Sequence, residues 1–192
     1  MSSDRIYDFV FKGLLTEEAL DRAGRRSKNF NRLADEEIAK ALSIDLLDDD
    51  LMANAKSMAV VYAATAAFEN SVRGLIKNIL LESVGEGWWQ TSVSDNIRKR
   101  AESRREEERK VKWHAQRGDE PIYYTTLGDL ANIIRNNFSR FEPYIQSAEW
   151  AASVFDVVER SRNVIMHSGM LGKEDIGRLG INIRDWIKQV GA

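Results

Sequence analysis

The stretch DDDLMANAKSMAVVYAATAAFENSVRGLIKNILL, residues 48–81, reads as one long helix. Asp48, Asp49 and Asp50 stand at its start, where backbone N–H groups lack partners and the helix dipole favours negative charge. Apolar residues then recur at helical spacing: Leu51, Ala55, Met58, Tyr62, Ala66, Val72, Ile76 and Leu80. Extending the stripe places Glu69 inside it, one turn before Arg73. Ala63-Ala64 and Ala66-Ala67 make a narrow waist where a second helix can approach closely. Gly85-Glu86-Gly87 ends the element, and Trp88-Trp89 follows.

Outward from this helix, the same period dominates. Upstream, short helices are expected over about residues 4–12, from the capping Thr16 through Glu17-Glu18-Ala19-Leu20, and over about residues 35–42, with a basic loop at residues 24–29. Downstream, residues 94–117 are strongly charged and read as an exposed helix or helical arm, broken by Gly118-Asp119-Glu120-Pro121. Helices follow over about residues 127–138, residues 144–167 with an interruption before the last turns, and residues 176–190. Pro121 and Pro143 are the only prolines, and strand-type alternation is scarce. The expected fold is all-α: a bundle of four to five main helices at residues 51–192, preceded by an N-terminal helical extension at residues 1–50.

Composition narrows the function. The 192 residues suffice for one domain with a real core. A net charge of −2 does not announce a nucleic-acid binder. Residues 1–50 carry 8 basic and 12 acidic side chains and the rest 20 and 18, so the extension is the acidic part. The chain has no cysteine, which excludes disulfides and thiolate metal sites. There is no apolar run of membrane length and no signal peptide, so a cytoplasmic protein without membrane contact is expected.

The chemistry concentrates near the C-terminus, at Ser161-Arg162-Asn163-Val164-Ile165-Met166-His167-Ser168-Gly169. An Arg-Asn pair is followed four residues later by one of only two histidines. Val154, Phe155, Val157, Val158, Val164, Ile165 and Met166 make this a strongly apolar stretch, so burial is expected, with partners for its polar groups. On a helix, residues four apart lie about 40° apart and residues five apart about 140°. Asn163 and His167 therefore share a face, while Arg162 points elsewhere. Such a motif suits a cleft between helices, or one shared by two copies. Imidazole titrates near pH 6.5 and serves as general base or acid, and guanidinium holds a phosphate and stabilises its developing charge. Cleavage of RNA needs those groups and no metal, because the 2′-hydroxyl nucleophile belongs to the substrate. The plain alternative is a structural Asn/His pair closing a helix end.

Arg162-Asn163-Val164-Ile165-Met166-His167 resembles the R-N-x-x-x-H signature of the HEPN superfamily of helical domains. Phe68-Glu69-Asn70-Ser71-Val72-Arg73, the Trp88-Trp89 pair, the charged insert and Ile122-Tyr123-Tyr124 are similar to one branch of that family, named after a eukaryotic nuclear RNA endonuclease. The resemblance covers about residues 51–187. It implies a dimerising bundle whose two motifs line one cleft, and an endoribonuclease needing no cofactor or metal. Arg162 and His167 would be catalytic and Asn163 a polar support. The place of Glu69 and Arg73 on the apolar stripe favours a buried network near the motif over an ordinary exposed i,i+4 pair. Family members act in toxin–antitoxin and antiviral defence systems, so an antitoxin or defence partner is implied. Some HEPN toxins carry a modified tyrosine two residues after the histidine; here Gly169 stands there.

Further features stay open on sequence alone. Trp88-Trp89 suits base stacking but suits core or dimer packing better. The basic residues from Arg98 to Arg117 suit phosphate contacts or a solvated helix face, and His114 reads as exposed. A non-catalytic module that binds nucleotide, RNA or a protein partner is the alternative function.

Overall fold

The computed structural model describes residues 32–191. The helices expected over residues 4–12 and from Thr16, and the basic loop at 24–29, lie outside the described residues. The chain divides into two compact units, Met1–Asp49 and Asp50–Ala192. In the first, α1 (Arg32–Ala41) precedes a 3-10 turn at Ile44–Leu46, and Ser43 joins them in the left-handed region at φ 51°.

Among the described residues there are helices and no strands, and the fold is an all-α helical bundle. From Asp49 onward the chain forms α2 (Asp49–Val84), α3 (Trp88–Ser92), α4 (Asp95–Arg109), a 3-10 turn (Pro121–Tyr124), α5 (Leu127–Asn136), α6 (Phe138–Phe141), α7 (Ala148–Met166) and α8 (Lys173–Val190). At 36 residues, α2 is about 54 Å long. It stops where Gly85 adopts φ 88°, a conformation that glycine reaches without steric cost.

The core forms where α2, α5, α7 and α8 converge. Phe68, Val72, Ile76 and Leu80 of α2 meet Leu130, Ile133 and Ile134 of α5, Val154, Phe155 and Val158 of α7, and Leu179 and Trp186 of α8. Trp186 is its centre. It stacks on Trp150 at 5.7 Å and meets Phe68 at 5.8 Å and Phe155 at 5.0 Å. Each large apolar side chain buried here contributes roughly 1.5–3 kcal/mol, and the ring pairs add about 0.5–1.5 kcal/mol each. Trp88 is buried and meets Trp89 edge-on at 5.5 Å, so Trp88 is a packing residue.

Several sequence expectations need correction. The buried stripe of α2 is Met58, Val61, Thr65, Phe68, Val72, Ile76, Ile79 and Leu80. In the first half it runs through Val61 and Thr65 instead of the expected Tyr62 and Ala66, which are displaced to a flank. Alanine is so frequent there that apolarity alone does not fix the angle of the face. The second correction is that α7 has no interruption and begins at Ala148, after the N-cap Ser147, whose Oγ accepts from the Trp150 N–H at 3.0 Å.

The charged arm is helical only to Arg109, and it is docked rather than free. Ile97 and Ala101 are buried, and Arg100 and Arg104 reach the buried carboxylate of Asp129 at 2.5 and 3.1 Å. Asp129 also completes a capping box with Thr126 at the start of α5. The same helix ends at Asn136, where the Asn137 amide donates to the carbonyls of Ile133 and Ser92, both at 2.8 Å.

Candidate active site

The long helix supplies the centre of the site. Glu69 lies beside buried Phe68 on the flank of the α2 stripe, its side chain 14% exposed. Its Oε2 accepts from Arg73 Nη2 at 3.1 Å, one turn along. Its Oε1 pairs with Arg162 Nε at 3.2 Å, from α7. Arg73, 11% exposed, also donates to Asn70 Oδ1 at 3.1 Å and to the Thr125 carbonyl at 3.2 Å. Glu69, Arg73 and Arg162 are thus one network. A carboxylate with each oxygen on a different guanidinium fixes both cations, and at this depth such bonds are stronger than surface pairs.

These residues line a cleft of about 500 Å³. Its wall on α2 is Tyr62, Thr65, Ala66, Glu69, Asn70 and Arg73. Thr125, Thr126 and Leu127, at the start of α5, form a second side, and Glu159, Arg162 and Met166 of α7 a third. Arg117 and Tyr123 complete it. Arg117 is held by Glu108 at 2.5 Å and lies over the Tyr124 ring at 5.8 Å.

Arg162 is 41% exposed and lines the cleft. Nη1 makes one long bond, 3.4 Å, to Asn163 Oδ1, and Nη2 bonds no described residue. Asn163 therefore touches Arg162 and lies on the exposed side. His167 stands apart. It caps the C-terminus of α7, its backbone N–H donates to Asn163 O at 3.2 Å, and its exposed ring bonds no described residue. It is not part of the cleft lining. The burial expected for the motif is corrected accordingly: Val154, Phe155 and Val158 are buried, but Val164, Met166 and His167 are exposed.

The cause is the way α7 ends. Ser168 takes the left-handed conformation at φ 59°. Its N–H donates to Ile165 O at 3.0 Å, and Gly169 N–H donates to Val164 O at 2.8 Å, the two bonds of a Schellman cap. A Cβ at position 169 would lie 2.7 Å from Val164 Cγ1 and 2.8 Å from Val164 O. The cap admits glycine and leaves no room for the tyrosine that some HEPN toxins carry there.

One cleft group escapes the motif reading. Glu159 stands three residues before Arg162, on the same face of α7. Burial pushes its carboxyl above the ordinary value, with Arg162 pulling down and Glu69, Asp156 and Asp129 pushing up. Its spacing from Arg162 was the one available signal. Among the described residues, no group of three His, Asp or Glu side chains is placed to hold a metal ion. No helix of the described residues is long and apolar enough to cross a membrane.

No family model matches this chain, nor does any curated protein or solved structure.

Proposed function

We propose that this chain is an endoribonuclease of the HEPN type, whose active cleft is built from Arg162 and His167 of two copies. One observation carries the reading: Glu69 holds the motif's arginine at a cleft edge with Nη2 bonded to no described residue, while the motif's histidine caps the same helix outside that cleft. Within one copy the imidazole is not brought to the guanidinium. With a second copy packed on the α7 end, the His167 of each copy faces one shared cleft.

The reaction then divides as follows. One His167 takes the proton of the 2′-hydroxyl, whose oxygen attacks phosphorus. Arg162 donates to the non-bridging oxygens as charge builds there. The P–O5′ bond breaks, and the second His167 protonates the leaving oxygen. The products are a 2′,3′-cyclic phosphate and a 5′-hydroxyl. Asn163 orients Arg162, and Glu69 with Arg73 keeps it in place. The nucleophile is internal to RNA, so no metal is required and DNA is not cut. An enzyme of this kind acts in the cytoplasm as a toxin or phage-defence effector, restrained by an antitoxin or partner protein.

The exposure of His167 also favours a second reading, a non-catalytic module that binds nucleotide, RNA or a protein partner. Incubating single-stranded RNA in EDTA with wild type, His167→Ala and Arg162→Ala separates the two. The nuclease reading requires cleavage by wild type and strong loss in both variants.

A further inference from the structure

The phosphodiester chemistry leaves one cleft carboxyl unused. Glu159 lines the cleft with Tyr62, Tyr123, Asn70 and Arg162, yet it forms no hydrogen bond or ion pair with any described residue. Its Oε2 lies 4.0 Å from the point where a Cβ on Gly128 would stand, so the carboxyl sits over the first turn of α5. Glu69, by contrast, has both oxygens engaged by arginines.

A half-buried carboxylate with two open oxygens is a receptor for two parallel N–H donors. The cleft, at about 500 Å³, is in the size range of small-ligand sites. Tyr62 and Tyr123 are 47% and 37% exposed, so their rings are open to stack on a base. Arg162 offers donors to a phosphate. Single-stranded RNA is read on the Watson–Crick edges of its bases. Only guanine carries two adjacent donors there, N1–H and the N2 amino group. Adenine and cytosine set a ring acceptor beside their amino group, and uracil flanks its one N–H with carbonyls. Each would place a lone pair against a carboxylate oxygen.

We infer that Glu159 makes the cleft a guanine-reading pocket, which places a guanosine next to the phosphate held by Arg162. The position of that phosphate rests on the endoribonuclease reading; the recognition of the base does not. Burial, which pushes the Glu159 carboxyl up, is consistent with a group lacking donors until a ligand supplies them.

The test is calorimetric titration of the full chain with 5′-GMP, AMP, CMP and UMP, none of which has a bond to cut. Wild type should bind GMP about ten-fold or more tighter than the others, the discrimination expected of one bidentate pair. Glu159→Gln replaces one acceptor with a donor, which matches the amino group and ring acceptor of adenine and of cytosine, so its preference should move from GMP to AMP and CMP. That gain also shows the variant is folded. Equal binding of all four, binding of none, or a GMP preference that persists in Glu159→Gln overturns the inference. Mapping cut sites on RNA separates the two proposals. Cleavage without guanosine at the site keeps the nuclease and removes the pocket; GMP preference without cleavage does the reverse.

Discussion

Glu69 uses its two oxygens separately, one for Arg73 and one for Arg162. This pairing was legible in the sequence because the apolar stripe, extended, runs past position 69. Glu159 was not, since a lone glutamate among Asp156 and Arg160 reads as a solvated face. Its partially buried state has a measurable consequence. Its folded-state pKa lies above the ordinary 4.5, so the folded chain holds the proton more tightly than the unfolded chain. The stability linked to it is present in acid and is lost as pH rises from 4.5 through the folded value. Glu159→Gln escapes that loss. The variant should melt higher than wild type at about pH 8, with the gap closing toward pH 4.5. A lower melting temperature at alkaline pH would mean that attraction to Arg162 outweighs burial. Gly169 makes a second residue-scale prediction. Gly169→Ala should cost about 1–3 kcal/mol in denaturant unfolding, because the backbone oxygen of Val164 stands in the way. No change would show that the cap tolerates a side chain.

At the scale of elements, length and period announced the helices, but angles and ends depended on neighbours. The α2 stripe turns to Val61 and Thr65 because Phe68 packs against Phe155 and Trp186, a contact between positions far apart in sequence. The last turn of α7 is apolar yet exposed, since apolarity does not say whether a face meets the core or a partner. The docking of α4 was hidden because its basic and acidic residues are interleaved in short runs; their ion pairs with Asp129 on α5 distinguish Arg100 and Arg104 from the rest. Burial pushes Asp129 up, but Arg100, the Thr126 N–H and Arg104 outweigh it and hold the carboxyl below the ordinary aspartate value. Its stabilising effect is therefore present above 3.8 and lost as pH falls through the lower folded value. Asp129→Asn should cost about 2 kcal/mol at neutral pH, less than a fully buried pair because Arg100 is half exposed. Denaturant titrations should show the cost shrinking in strong acid. An unchanged midpoint at neutral pH would count against the clamp between α4 and α5.

For the whole molecule, the all-α class was legible from period and composition. The placement of the histidine was not, because it depends on a cap only three residues long. With Arg162 in the cleft and His167 outside its lining, the endoribonuclease reading requires two copies. Light scattering should give the mass of a dimer at micromolar concentration, and a monomer would oppose the shared cleft. The most direct measurement is cleavage of single-stranded RNA in EDTA by wild type and His167→Ala, with the new ends identified. Wild type should cut RNA but not DNA and leave 2′,3′-cyclic phosphates, while His167→Ala should be roughly 10²–10⁴-fold slower, as for loss of a general acid or base. Equal cleavage by both proteins, or by neither across a broad panel of cellular RNAs, would contradict the account.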